Sequence, residues 1–510
     1  MSEDILSKIV RMRREDIERL GLNFDIEIPE ARRVGHTEFL DNAGAILEVK
    51  RASPSKGDIA PDLDPVGLAT TYAEAHAQAV SVLTEMNFFK GSLRDLIAVA
   101  DLMERRRKQG LHTCAVLRKD FLLFEDEIDI AYRCGADAVL LIARILDDAQ
   151  LVKMAERAQK FGIQAFVEVR EADDFRKLSV VTTALGDAAA KTIVAGVNSR
   201  DLATFHTDPL IPASVRSKLP AKAVFESGIL SAADATYARN LGFTGILVGE
   251  AVAKNPPLAK DVVSAFESGC ENARGQFWRK FAERKVARQD AHRPLVKICG
   301  ITREEDGILA AELGANMLGF VFSTTKRLTT EEFVTSFSTK LRAGGNPVPL
   351  LVSVITDPNS EEGKTAIKLA QEGILDAVQF HGVDPHDSGN TALPCYCAAR
   401  VGSTEDFDYV ATLRKNGEPR VLLDAKVEGI PGGTGKQIPE SLLREKTGDI
   451  PLWLAGGINP DNVATICEKF HPELIDVSSG IEDAPGIKNH EKMRALFAAL
   501  STIIYNPTSV

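Results

Sequence analysis

The sequence predicts an α/β chain of two (β/α)8 barrels in tandem, joined by a helical linker and preceded by a helical extension. Three observations predict it. Short runs rich in Val, Ile and Leu recur along all 510 residues, helix-like segments stand between them, and the runs fall into two sets of eight. Continuous apolar runs of strand length suit strands covered on both faces, as in parallel sheets. Eight strand–helix units in about 250 residues or a little less are the signature of a closed barrel. A doubly wound sheet carries fewer strands, and no GxGxxG follows the first run of either set.

The elements follow in order. Residues 1–40 are charged and amphipathic and read as one or two helices able to cover a barrel end. The first set of runs is Ile46–Lys50, Ala79–Glu85, Cys114–Arg118, Ala138–Ala143, Gln164–Val169, Thr192–Asn198, Ala223–Ser227 and Gly245–Gly249. Between the fourth and fifth, Leu151–Phe161 has helical spacing and stops at Gly162. Residues 266–293 read as a helical linker; its basic residues Arg279, Lys280, Arg284, Lys285 and Arg288 are expected on a solvated helix face rather than against RNA. The second set is Leu295–Cys299, Met317–Phe322, Pro349–Ile355, Ala377–His381, Cys395–Arg400, Arg420–Asp424, Pro451–Ala455 and Leu474–Val477. Asp461–Phe470 follows Asn459-Pro460, a good helix start. The TIM-barrel architecture is thus expected twice, over residues 1–265 and 294–510.

Composition narrows the function. Lys+Arg number 61 against 72 Asp+Glu, a net charge of -11, so the broad basic footprint of a nucleic-acid binder is absent. Local lysines and backbone N–H groups can still bind a phosphorylated small molecule. No run approaches the roughly 18 apolar residues of a membrane span. The charged N-terminus does not read as a secretory signal, and seven scattered cysteines suit reduced thiols, so a cytoplasmic location is expected. Cys395 and Cys397 read as alternate residues of one strand rather than as a metal site.

Residues at the C-terminal ends of barrel strands face the active site. In the first half these are Glu48 and Lys50, Lys119, Glu168, Asn198 with Arg200, Glu226 with Ser227-Gly228, and Gly249. One charge at a strand end is a rim position. Three Glu and two Lys converging from different strands read as acid/base machinery around a cavity. The motifs EVKRASPSKG, LTE with Phe88-Phe89 behind it, LRKDF, VEV, GVNSRDL and ESGI resemble indole-3-glycerol phosphate synthase over roughly residues 1–265. The resemblance implies ring closure of a carboxyphenylamino-deoxyribulose phosphate with loss of CO2 and water, without a metal or organic cofactor. It implies Lys119 as general acid, Lys50 on the substrate carboxylate, Glu168 in dehydration and Glu48 holding the proton-transfer network. Asn198 would orient substrate hydroxyls, Arg200 support its loop and Glu226 fix the lysines. Ser53, Ser227, Gly228, Gly249 and Glu250 would lie around the substrate and its phosphate.

The second half presents Cys299, Arg327, His381, Asp424, Gly456-Gly457, and Asp476 followed by Ser478-Ser479-Gly480. A single strand-end cysteine is ordinarily packing, but Cys299 with Asp424 can pair a thiolate base with a carboxylic acid. A Cys–His hydrolase using Cys299 and His381 is the rival. Glycine-rich turns after the seventh and eighth strands are where barrels bind phosphate. KICGIT, QFHG, LLDA, PGGTGK, LAGGINPDN and DVSSGIE resemble phosphoribosylanthranilate isomerase over roughly residues 294–505. This implies an Amadori rearrangement with Asp424 as acid on the furanose oxygen and Cys299 as base at C2. Arg327 would hold the anthranilate carboxylate, His381 and Asp476 line the cleft, and Gly456, Gly457, Ser478, Ser479 and Gly480 cradle the phosphate. Two loops depart from the family pattern: Thr325-Lys326 stands before Arg327, and Gln437-Ile438-Pro439 follows GGTGK.

The product of the second activity is the substrate of the first, which implies a bifunctional chain of tryptophan biosynthesis. Two sites in one chain make a monomer sufficient. The other readings are a barrel scaffold without chemistry, and one active barrel beside an inactive one.

Overall fold

The computed structural model describes residues 4–201, 204–287, 293–344, 348–385, 392–426, 437–447 and 451–503. The PGGTGK stretch at 431–436 and Arg288 lie outside them. The chain divides into two compact units, Met1–Glu271 and Asn272–Val510.

Each unit is built on a closed barrel of eight parallel strands, and all sixteen sequence runs overlap these strands in order. The first barrel is β1 (Gly44–Val49), β2 (Ala79–Leu83), β3 (Ala115–Lys119), β4 (Ala138–Ile142), β5 (Gln164–Val169), β6 (Ile193–Asn198), β7 (Ala223–Glu226) and β8 (Gly245–Val248). It closes where Gly44 pairs with Gly245 and Leu47 with Val248. The second is β9 (Leu295–Cys299), β10 (Met317–Val321), β11 (Leu350–Ile355), β12 (Ala377–His381), β13 (Cys395–Val401), β14 (Val421–Ala425), β15 (Trp453–Ala455) and β16 (Leu474–Val477). It closes where Leu295 pairs with Leu474 and Ile298 with Val477. Helices stand between the strands. The helix at Asp148–Phe161 begins at an Asp147–Gln150 capping box and ends at Gly162, whose φ of 72° is left-handed and suits glycine. No described helix is long and apolar enough to cross a membrane.

The two barrels differ inside. The first is filled by apolar residues, among them Ile46, Leu117, Leu140, Phe166, Val194, Val224 and Leu247. In the second, the large apolar cluster lies between strands and helices. Period-two alternation turns Lys297, Gln379, Tyr396, Trp453 and Asp476 the other way, and all are buried.

The N-terminal extension splits its work within the first unit. Helix Ile5–Leu20 places Leu6 and Ile9 against the C-terminal end of the barrel. Its buried Arg13 pairs with Asp120 at 2.6 Å and with Glu127. The following segment closes the opposite end. Arg32 donates to the Ala136 carbonyl, the Phe39 N–H donates to Gln164 Oε1, and the Phe39 ring lies 5.7 Å from that of Phe166.

The basic residues of the expected linker keep a solvated face, with Lys280 exposed and Arg279, Arg284 and Lys285 half-buried, but the opposite face makes this helix part of a barrel unit rather than a linker. Helix Ala273–Ala287 belongs to the second unit and buries Arg274, Phe277, Trp278, Phe281 and Ala282. Phe277 stacks on Tyr396 at 5.9 Å, Phe281 lies 4.8 Å from Trp453, and Arg274 pairs with buried Glu418. These partners sit at or before the N-terminal ends of their strands, so the helix floors this barrel. The apolar stripe at 277, 278 and 281 outweighs the basic residues between its members.

Candidate active sites

Strand alternation assembles the first site. Glu48, Lys119, Glu168, Asn198 and Glu226 each lie two or four residues beyond an inward apolar residue of the same strand: Ile46, Leu117, Phe166, Val194 and Val224. Glu48 sits between two lysines, its Oε1 3.0 Å from Lys50 Nζ and its Oε2 3.3 Å from Lys119 Nζ. Lys119 Nζ also lies 3.3 Å from Glu226 Oε2. The Lys50 ammonium stands 5.7 Å from the centre of the Phe89 ring.

Burial would raise the Glu48 carboxyl, but Lys50 and Lys119 outweigh it and hold the group at about 2. Burial would lower Lys119; the charges of Glu48, Glu226 and Glu168 reverse the sign, and it stays an ammonium. Burial, then the Glu168 charge, push Glu226 up to about 8. Burial also raises Glu168 against the pull of Lys119. The site at rest thus holds a carboxylate at Glu48, an ammonium at Lys119 and a carboxyl pair that keeps a proton near neutrality, a set able to give and take protons in turn.

The cavity is lined by Glu48, Lys50, Lys119, Glu168, Asn198, Ser53, Arg200 and Ser227, with apolar walls from Leu6, Ile9, Leu83, Phe89, Phe121, Leu140 and Ile142. Arg200 reaches the Ser55 hydroxyl at 3.4 Å, and Asn198 Oδ1 accepts the Arg200 N–H at 3.0 Å. Ser227 and Gly228 are both left-handed, with φ of 66° and 74°. Glu226 stands behind Lys119. Gly228, Gly249 and Glu250, expected around the substrate, are not among the lining residues. Gly249 makes room for Glu48, whose Oε1 would lie 2.5 Å from a Cβ there, and Glu250 pairs with Lys254 at 2.7 Å. Sequence reasoning missed Leu6, Ile9 and Arg13, although they form one stripe at helical spacing.

The second site gathers every residue expected of it. Cys299, Arg327, His381, Asp424, Gly456, Gly457, Asp476, Ser478, Ser479 and Gly480 line one cavity of about 270 Å³. Gly319 leaves space for the thiol: a Cβ there would lie 2.7 Å from Cys299 Sγ. Burial raises the Cys299 thiol, and Lys297 pulls part of the way back. Burial and the Asp476 charge raise Asp424 to about 6. Burial and the cations Arg400 and Lys297 lower His381 to about 4, so its imidazole is neutral. His381 Nε2 lies 3.5 Å from Asp424 Oδ2 and its Nδ1 3.4 Å from Gln379 Nε2. The thiol–imidazole pairing of a hydrolase is not among the described contacts: the His381 ring nitrogens face Asp424 and Gln379.

Gly456 and Gly457 are consecutive left-handed residues, with φ of 93° and 63°, and Asn462 Nδ2 donates to the Gly457 carbonyl at 2.8 Å. Successive turned N–H groups of this kind form anion-binding concavities. Gly480 packs so tightly that a Cβ would stand 1.9 Å from the Ile458 carbonyl oxygen. Arg327, expected to hold the anthranilate carboxylate, is paired with Glu482, with Nε at 3.0 Å and Nη2 at 2.8 Å. Lys488 joins them, 2.9 Å from Glu482 Oε1 and 2.5 Å from the Cys299 carbonyl. Glu482 and Lys488 lie on a short hairpin, Glu482–Ala484 with Ile487–Lys488, that the sequence reading did not contain. Among the described residues, no group of three or more His, Cys, Asp and Glu is placed to hold a metal ion.

Comparison with known proteins matches each unit to a family. Residues 6–264 match the family model for indole-3-glycerol phosphate synthase, and residues 296–499 that for N-(5'-phosphoribosyl)anthranilate isomerase. A Yersinia pestis protein named tryptophan biosynthesis protein TrpCF is 30% identical over 94% of this chain and 89% of its own length. A Roseiflexus indole-3-glycerol phosphate synthase is 38% identical over 51% of this chain and 97% of its own. The multifunctional tryptophan biosynthesis protein of Schizosaccharomyces pombe is 30% identical over 90% of this chain, which spans 59% of that relative's length. Acid/base clusters at the strand ends, both family models and relatives matched across both units place the chain in the indole-3-glycerol phosphate synthase family through its first barrel and in the phosphoribosylanthranilate isomerase family through its second.

Proposed function

We propose that the chain is a bifunctional enzyme of tryptophan biosynthesis whose second barrel acts first. That barrel isomerises N-(5-phosphoribosyl)anthranilate to carboxyphenylamino-deoxyribulose phosphate, and the first barrel converts this to indole-3-glycerol phosphate. In the isomerase step the Asp424 carboxyl gives its proton to the furanose oxygen as the C1–O bond breaks. The Cys299 thiolate takes the C2 proton of the resulting Schiff base, and the enol formed becomes the ketone. A carboxyl raised to about 6 still holds a useful fraction of its protons near neutrality, which supports the acid assignment. Gly456-Gly457 and Ser478-Ser479-Gly480 receive the phosphate. Arg327 receives the anthranilate carboxylate, which then competes with Glu482 for its guanidinium.

In the synthase step Lys119 protonates the ketone oxygen while the ring carbon bearing the carboxylate attacks. CO2 leaves from that carbon and its bonding pair restores the aromatic ring. The new hydroxyl then leaves as water with a proton from the Glu168–Glu226 pair, and the C1 proton lost as the ring double bond forms returns to the carboxylate so produced. Lys50 binds the substrate carboxylate, Glu48 and Glu226 hold the lysines, and Asn198 orients hydroxyls. Ser53, Arg200 and Ser227 face the phosphate end. A single chain carries both sets, so a monomer is the proposed working form.

The observation that carries this reading is Lys119 held 3.3 Å from two carboxylates in the first unit, together with a cavity in the second that joins a buried thiol to a raised carboxyl. The test is to supply phosphoribosylanthranilate and follow loss of anthranilate fluorescence together with growth of the indole spectrum. Cys299→Ala should lower the first signal by about 10²–10⁴-fold, and Lys119→Ala should stop at the open aminoketose with a similar loss in the second. A folded wild-type chain that moves neither signal would return the scaffold reading.

A further inference from the structure

Beneath Cys299 the second barrel holds a charge where barrels usually pack Val, Ile or Leu. Lys297 lies two residues before Cys299 on β9, on the same inward face, and is fully buried. Its Nζ lies 2.5 Å from Asp476 Oδ2 of β16 and donates to Gln379 Oε1 of β12 at 2.8 Å. Tyr396 of β13 donates its hydroxyl to the same Gln379 oxygen at 2.7 Å, and its ring is backed by Phe277 of the floor helix. The charge of the ammonium favours the ionised form of the Cys299 thiol above it. Three other strands and a helix thus fix one cation under the sulfur. Packing does not ask for it: in the first barrel the residue two before the strand-end Glu48 is the apolar Ile46. A buried ion pair is ordinarily no more stable than an apolar replacement of similar volume.

We propose that Lys297 is a positioning residue of the isomerase step, its pinned ammonium providing the counter-charge against which Cys299 releases its proton. This rests on the reading of Cys299 as the base. Of the surrounding cations Lys297 acts most strongly on the thiol, and Lys488 adds a smaller pull. Lys488, from the hairpin, is shared among Glu482, the Cys299 carbonyl and the Ser478 carbonyl. Arg327, after β10, is matched by Glu482. Asp476 of β16, which lines the same cavity and whose buried Oδ1 has no hydrogen-bond partner, opposes ionisation of the thiol. Asp424 of β14 is a second acidic neighbour across the cavity, Tyr396 is a phenol held protonated by burial, and His381 of β12 is neutral.

The test uses the 510-residue chain without substrate. Iodoacetamide alkylation is followed at the Cys299 peptide by mass spectrometry, which separates it from the exposed Cys270. Across about pH 6 to 10, Lys297→Met should shift the alkylation profile upward by at least about one unit, an approximately tenfold loss of rate below the midpoint. Lys297→Arg should restore most of it. The acid limb of the isomerase kcat/KM profile should move by the same amount, with kcat reduced and KM little changed. Asp476→Asn should shift alkylation the other way, and it carries the test if Lys297→Met does not fold. Profiles that stay in place in a folded Lys297→Met, or an Asp476→Asn profile that is unchanged or raised, overturn the inference. Isomerase activity retained in Cys299→Ala overturns the base reading, and the role of Lys297 with it. An inactive Cys299→Ala beside an unshifted Lys297→Met removes Lys297 alone.

Discussion

A Cβ on Gly196 would stand 2.2 Å from Glu226 Oε1 and 2.6 Å from the Phe166 ring. Gly196→Ala should therefore destabilise the first unit by about 1–3 kcal/mol and reduce synthase kcat, with the isomerase rate as internal control; an unchanged melting profile and synthase rate would refute this. Glu226 itself makes a pH prediction. Its carboxyl rises from 4.5 to about 8 on folding, so the folded chain keeps a proton that the unfolded chain releases. That contribution is complete below about pH 4.5 and is lost as pH rises through about 8. Glu226→Gln should remove this decline, seen when the unfolding free energies of wild type and variant are compared at about pH 5 and pH 9. The residues that carry these effects were legible to different degrees. Strand-end Glu48, Lys119, Glu168 and Glu226 stand out because a buried parallel strand has no other use for them. Glu482 and Lys488 did not, since Glu482 meets Arg327 across 155 positions and no local pattern announces that pairing.

At the level of elements, all sixteen strands could be read from apolar runs, because a strand covered on both faces must be apolar throughout. The floor helix Ala273–Ala287 is legible as a helix but not as a floor. Five basic residues dominate its composition and imply solvent exposure, whereas the inward stripe of Phe277, Trp278 and Phe281 spans little more than one turn. Trp278 is fully buried, with ring centres 5.1 Å from Phe277 and 5.9 Å from Trp453. Trp278→Ala should cost the second unit about 3–5 kcal/mol, visible as a lower isomerase inactivation temperature while synthase activity persists. Simultaneous loss of both activities would show that the helix stabilises more than the barrel it floors. The hairpin at 482–488 lay beyond sequence reading for another reason: its strands are two and three residues long, too short for a periodic signal.

For the whole molecule, each barrel supplies a full acid/base set from its own strands, so the two steps need only equal amounts of each site. Isotopically labelled intermediate generated in place should mix with added unlabelled intermediate, and the label in indole-3-glycerol phosphate should be diluted in proportion. Label that resists dilution would require direct transfer. The segments that close the barrel bottoms bear on a different question. In each unit the stopper, residues 32–40 in one and 273–287 in the other, is encoded immediately upstream of the barrel it seals. As a nascent chain emerges, each stopper waits in the open until the last strand of its barrel arrives. On the scale of genes, a breakpoint just ahead of residue 272 moves barrel and stopper together, and one at residue 294 leaves the stopper behind. The heritable module in this chain is therefore longer than the barrel itself, and recombination that respects it can place the two modules in either order.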